Sequence, residues 1–202
     1  MEEQTMEVQT VEEQTTGCLV CGAPLEYLQS QIEMECTYCH KTFMSNARCV
    51  NGHFICDSCH EQMGLRVIED ICRHTDSKDP VAIMKKIILS PYIYMHGPEH
   101  HVLVGSALLA AYKNAGGELD LDAALEEMRN RGAQVPGGIC GLWGTCGAAV
   151  STGIFVSLIT GASPLSGKEW GLCNEMTSRS LGAIAKTGGP RCCKRDSYTA
   201  IL

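Results

Sequence analysis

The 202-residue sequence predicts a mainly α protein, with a small two-zinc module in front and an all-α helical bundle behind it. Three observations carry that expectation. Eight metal-ligand side chains crowd into residues 18–59 at paired spacings. From residue 61 onward, apolar residues recur at helical period between Pro, Gly and Asp punctuation, with no convincing strand. The first sixty residues hold few large apolar side chains, so metal binding must supply the folding energy that a small core cannot.

The ligand pairs are Cys18-x2-Cys21, Cys36-x2-Cys39, Cys49-x3-His53 and Cys56-x2-Cys59. A short Cys-x2-Cys loop sets two thiolates on one tight turn, and Zn²⁺ takes two such pairs at tetrahedral corners. Four pairs imply two closed structural Zn²⁺ sites. From Cys36 onward the order resembles the first six ligands of a RING-type domain, with Cys18 and Cys21 upstream in place of the last pair. A cross-braced, treble-clef-like arrangement would join Cys18, Cys21, Cys49 and His53 on one ion. Cys36, Cys39, Cys56 and Cys59 would hold the other. The sequential alternative is a zinc ribbon (Cys18, Cys21, Cys36, Cys39) followed by a knuckle. His60 is an alternative to Cys59, and His40 is a spare neighbour.

The net charge of −7 is uneven. Glu2, Glu3, Glu7, Glu12 and Glu13 fall within residues 1–16 with no basic residue, which reads as a disordered acidic tail. Residues 17–60 form the zinc-binding module and 61–202 the cysteine-rich helical domain. No basic stripe is present, which excludes phosphate-driven nucleic-acid binding. No membrane span is expected either: Ala148–Gly161 is apolar but too short, and reads as a core helix. Thirteen cysteines without a signal peptide read as metal ligands in a reducing, cytoplasmic compartment rather than as disulfides.

The helices follow in order. Glu61–His74 carries a stripe of Leu65, Ile68, Ile71 and Cys72. Asp79-Pro80 caps a helix with Val81, Met84, Ile87 and Ile88 on one face, ended by Ser90-Pro91. Pro98–Ala115 is apolar nearly all round, the pattern of a central helix, and Gly116-Gly117 stops it. Asp120 caps a helix carrying Leu121, Ala124, Leu125 and Met128, with Arg129 and Arg131 late, matching the helix dipole. The glycine-rich loop 136–144 leads into Thr145–Thr160. Ser166-x2-Glu169 is a capping box for a helix running to about Lys186, and a short helix starts near Arg191.

Cys140, Cys146, Cys173, Cys192 and Cys193 lack zinc-finger spacing. Cys140 sits among glycines, Cys146 at a helix start, and Cys192/Cys193 just after Gly188-Gly189-Pro190. A helix N-terminus favours the thiolate and lowers the thiol pKa, which suits ligation or nucleophilic attack. Cys72 reads as core packing; for Cys173, packing and function both fit. His96, His100 and His101 stand at the entry of the central helix, where a solvated or capping role competes with ligation.

The run Gly-Gly-Ile-Cys-Gly-Leu-Trp-Gly-Thr-Cys-Gly-Ala-Ala within Gly137–Gly161, together with Leu172–Ala200, resembles an uncharacterised family of anaerobic archaea and bacteria. That family joins a cysteine-rich helical domain to a zinc-binding front end. The same stretch is remotely similar to the small redox-associated proteins with the pattern C-GCAxxG-C-C. Cys146-Gly147-Ala148 and Cys173 match that pattern in order, with Cys192 or Cys193 last, and His100-His101 stand where its first cysteine would be. Histidine cannot form a disulfide, so the resemblance implies a metal or cluster rather than a dithiol.

Two functions are consistent with these readings. In the first, Cys146 and Cys140 act chemically in redox or sulfur transfer on a small thiol or sulfur substrate. Cys146, Cys173, Cys192, Cys193, His100 and His101 are then candidates for an iron–sulfur cluster, such as a 4Fe-4S centre. Cys140, Cys173 and one of the last pair, Cys192 favoured, should converge near Cys146, with the sulfurs of Cys146, Cys173 and Cys192 or Cys193 within about 4–7 Å of one another and His100 or His101 closing the side. In the second, the chain is a non-enzymatic zinc adaptor that docks on a partner enzyme. A phosphate loop is excluded, because the glycines of 137–144 are not followed by Lys-Ser/Thr.

Overall fold

A computed structural model describes residues 17–202; the acidic segment 1–16 lies outside the described residues. The chain divides between Phe54 and Ile55 into two compact units.

The first unit is a hairpin flanked by cysteine turns. Strands β1 (Leu25–Glu35) and β2 (Thr42–Cys49) pair antiparallel, from Leu25 opposite Cys49 to Glu35 opposite Thr42, with a register shift between Tyr27 and Ile32. Both faces are largely open, and Tyr27, Met44 and Val50 are exposed. Met34 and the cysteines Cys18, Cys36 and Cys49 supply most of what is buried, with Phe43 and Phe54 in tilted contact at 6.2 Å. A lone two-stranded hairpin is marginal in water. This one therefore depends on its cysteine turns.

The second unit is helical: α1 (Asp57–His74), α2 (Pro80–Ile88), α3 (His100–Asn114), α4 (Leu121–Gly132), α5 (Ile139–Leu142), α6 (Gly147–Thr160), α7 (Lys168–Thr187) and α8 (Cys193–Thr199). Helix α3 packs against α1, α2, α4, α6 and α8, and its apolar circumference is the reason it can. Ile68, Ile83, Met84, Ile87, Leu103, Leu109, Leu125 and Met128 form the core around it. Asp79 and Asp120 act as the expected N-caps, accepting from the backbone N–H of Val81 at 2.8 Å and of Ala123 at 3.1 Å. Among the described residues no helix is long and apolar enough to cross a membrane.

Three local expectations need correcting. Helix α1 begins at Asp57, inside the ligand block, so Cys59 and His60 lie on it. The glycine-rich loop holds one short helical turn, α5, entered through Gly138 at φ 85°. The capping box at Ser166 does not form. The Ser166 hydroxyl instead accepts from the Ser163 N–H at 3.0 Å, Gly167 takes the cap position, and α7 starts without a side-chain cap.

The crossing of α3 on α6 relies on Gly105, whose N–H donates to Ser151 Oγ at 2.9 Å. A Cβ there would run into the Met128 thioether and come to 2.8 Å from the Ser151 carbonyl oxygen. The thioether can swing aside, but the backbone carbonyl cannot. Overpacking costs about 1–3 kcal/mol, against a helix-propensity gain of about 1 kcal/mol for Gly to Ala. Gly105→Ala should thus lower stability by roughly 1–2 kcal/mol and Tm by several degrees. Gly182→Ala, mid-helix in α7 with nothing within 4 Å of the new methyl, should raise stability. Thermal melts of the two variants should move in opposite directions.

Candidate metal centres and a thiol-lined cavity

The eight front ligands gather into two sets: Cys18, Cys21, Cys49 and His53, and Cys36, Cys39, Cys56 and Cys59. Within each set every ligand atom lies within 4.8 Å of the others. First pair joins third, and second joins fourth, as in the cross-braced scheme. In the first set Cys21 Sγ stands 3.6 Å from Cys49 Sγ, and His53 Nδ1 lies 3.7 Å from Cys49 Sγ and 3.8 Å from Cys18 Sγ. A tetrahedron with metal–sulfur bonds of about 2.3 Å has edges of about 3.8 Å. The spacing is that of four donors around one ion.

Local backbone geometry makes these sets. The N–H of Val20 donates to Cys18 Sγ at 3.4 Å and that of Asn51 to Cys49 Sγ at 3.2 Å. Each turn then reverses through a left-handed residue: Gly22 (φ 71°), Gly52 (φ 86°) and, after Cys39, His40 (φ 56°). His40 thus occupies a glycine-like turn position, and its Nδ1 pairs with Glu35 at 2.8 Å. His60 is not in either set; it is buried and stacked on Tyr94 with ring centroids 3.3 Å apart. Burial pushes the Cys18 thiol up, whereas the Ala23 N–H brings exposed Cys21 down to about 6.

The helical unit contains a cavity of about 350 Å³. Three thiols line it from three elements: Cys140 on α5, Cys146 as the residue before α6, and Cys193 opening α8. His96, His100, His101, Arg191 and Asp196 complete its polar wall, and Gly137, Gly138 and Gly147 its backbone. The backbone N–H groups of Ala148 and Ala149 face the Cys146 sulfur, and that of Gly97 faces Cys193. Burial nevertheless raises the pKa of both thiols. The expectation of an acidified Cys146 is thereby corrected: desolvation outweighs the helix N-terminus.

The two adjacent histidines differ. His100 is 1% exposed, its Nε2 lies 2.9 Å from the Tyr94 carbonyl oxygen, and its Nδ1 lies 2.9 Å from Ser197 Oγ. His101 places Nδ1 3.0 Å from the Val135 carbonyl oxygen, and its ring lies against Gly147, where any Cβ would collide with the Cδ2–Nε2 edge. Burial depresses the pKa of both, that of His100 to about 4.

Other predicted residues lie elsewhere. Cys173 lines a separate groove of about 220 Å³ with Arg131, Gly153, Ser157 and Thr177, so it does not join the three cavity thiols. Cys193 rather than Cys192 lines the cavity, since Cys192 is the extended residue before α8 (φ −142°, ψ 103°). Cys72 is a core thiol, pushed up to about 12 by burial. Sequence reasoning passed over Asp196 and the specific need for glycine at 147. Both are visible only once α8 and α3 are set against α6.

The fold and sites define a mainly helical, cysteine-rich protein with two four-ligand clusters able to hold metal ions. Residues 68–202 match the model of DUF5714, a family of unknown function, and the chain belongs to that family. The match starts beyond Cys59, so it spans the cavity and all its lining residues but none of the front ligands. No curated protein matches the chain, and no solved structure does.

Proposed function

We propose that the protein holds two structural zinc ions in its front sets and uses the thiol-lined cavity for redox or sulfur-transfer chemistry through an iron–sulfur cluster or a reactive thiol. The observation that carries this reading is the convergence of Cys140, Cys146 and Cys193, with His101, on one cavity. Three thiolates with an imidazole in one set and four thiolates in the other, at tetrahedral spacing, suit structural zinc. Three thiols from separate elements suit a cluster, whose usual protein ligand is Cys thiolate. A cavity of this size accepts a small thiol or sulfur compound, and a cytoplasmic location suits unoxidised thiols.

The adaptor alternative has its own support in Leu142 and Trp143, 82% and 69% exposed, which would suit contact with a partner enzyme. Anaerobic purification with elemental analysis separates the readings. About two zinc ions per chain together with iron and acid-labile sulfide is the result expected of the cluster form. Zinc alone with a Cys146 thiol that is oxidised or alkylated ahead of the others is the result expected of the reactive thiol, and zinc alone with no such reactivity leaves the adaptor. Cys146→Ser should remove iron and sulfide while sparing zinc. Cys18→Ser and Cys49→Ser should each lose the same zinc ion, and Cys36→Ser and Cys56→Ser the other.

A further inference from the structure

We propose that the cavity is a three-sulfur, one-nitrogen site for an iron–sulfur cluster, in which His101 Nε2, and not its neighbour His100, is the fourth protein ligand beside Cys140, Cys146 and Cys193. The inference rests on the cluster form of the function proposed above and deepens it.

The argument turns on which ring nitrogen is already spent. A carbonyl oxygen can only accept a hydrogen bond. The Tyr94 carbonyl at 2.9 Å therefore places the His100 proton on Nε2, and His100 Nδ1 accepts from the Ser197 hydroxyl at 2.9 Å. Both nitrogens of His100 are in use. By the same logic the Val135 carbonyl at 3.0 Å places the His101 proton on Nδ1. That leaves the Nε2 lone pair unspent, on a ring that packs against Gly147, the residue after Cys146, and lines the cavity. An imidazole whose far N–H is held by a carbonyl is the usual form of a metal-ligating histidine, with tautomer and ring orientation set in advance.

Among the described residues no three donor atoms of the cavity all lie within 4.8 Å of one another, so they do not form the single-ion arrangement that each front set does. A single ion draws its ligands to a few ångström, whereas a four-iron cluster, with one protein ligand per iron, spreads them. The cavity volume of about 350 Å³ leaves room for such a group. Gly147 is part of the design: a methyl there would displace the His101 ring.

The test uses the full-length protein, reconstituted anaerobically with ferrous iron and sulfide after both front sites are loaded with zinc. Histidine labelled with ¹⁵N supplies the readout on the wild type itself, so no variant needs to fold for the outcome to count. The reduced cluster should show hyperfine coupling to one histidine nitrogen by pulsed EPR. In His101→Cys the coupling should be lost with iron content retained, and the midpoint potential should drop, because a thiolate replaces a neutral ligand. His101→Gln should hold less iron than wild type. A cluster without nitrogen coupling, or coupling that persists in His101→Cys, overturns the ligand assignment and leaves the functional reading standing. Wild-type protein that takes up zinc but neither iron nor sulfide overturns the ligand assignment together with the cluster form of the function.

Discussion

Removing metal with a chelator is expected to unfold the front unit while most of the helical unit survives. The two parts draw stability from different sources. The hairpin buries little beyond Met34 and its own cysteines, and a structural metal site of this kind contributes on the order of 10 kcal/mol of folding energy. The helical unit has an apolar core built on α3 that contains none of the eight ligands. Limited proteolysis with mass analysis should therefore show new cleavage between residues 17 and 54 after chelation, with α2 to α8 protected. Because Cys56 and Cys59 lie at the start of α1, fraying of its first turn should accompany that loss. Helical circular dichroism that disappears in step with the metal would show one cooperative unit and sink the prediction.

The second large effect expected is acid destabilisation of the helical unit by histidines that stay neutral inside it. His100 and His60 are 1% and 5% exposed, and burial lowers both to about 4 from an ordinary 6.5. The unfolded chain takes up these protons near pH 6.5, whereas the folded form resists until about pH 4. The unfolded state thus binds more protons throughout that window, so stability is full above pH 6.5 and falls as pH drops towards 4. For His100 alone a shift of this size corresponds to roughly 3 kcal/mol. Denaturant midpoints followed by helical circular dichroism at pH 7 and pH 4.5 should show the loss. NMR titration should find the His100 imidazole still neutral at pH 5.5. A flat profile over this range would mean that both rings are solvated in solution.

The front sets were legible because their chemistry is local. A Cys-x2-Cys turn brings two sulfurs together whatever the rest of the chain does, so the eight ligands followed from spacing alone. The helices were legible for a similar reason, as in the Asp79 and Asp120 caps and the apolar stripe of α3. Local reasoning failed where tertiary contacts compete. Ser166 found Ser163 in place of the α7 backbone, and Cys146 lost its expected acidity to burial. Cys173 matches a redox pattern in order along the chain, yet α7 carries it to a different groove.

By itself the sequence determined the mainly helical class and the Cys and His residues that form the two four-ligand sets. Each of these depends on periodicity or on spacing within a turn. Only the tertiary structure decided which ligand pairs share a set, which of Cys192 and Cys193 lines the cavity, and which of two adjacent histidines keeps a lone pair. Those choices depend on groups far apart in the chain, such as the Val135 carbonyl at His101 and Ser197 at His100. Neighbouring residues on a helix point about 100° apart, so a shift of one position selects a different partner.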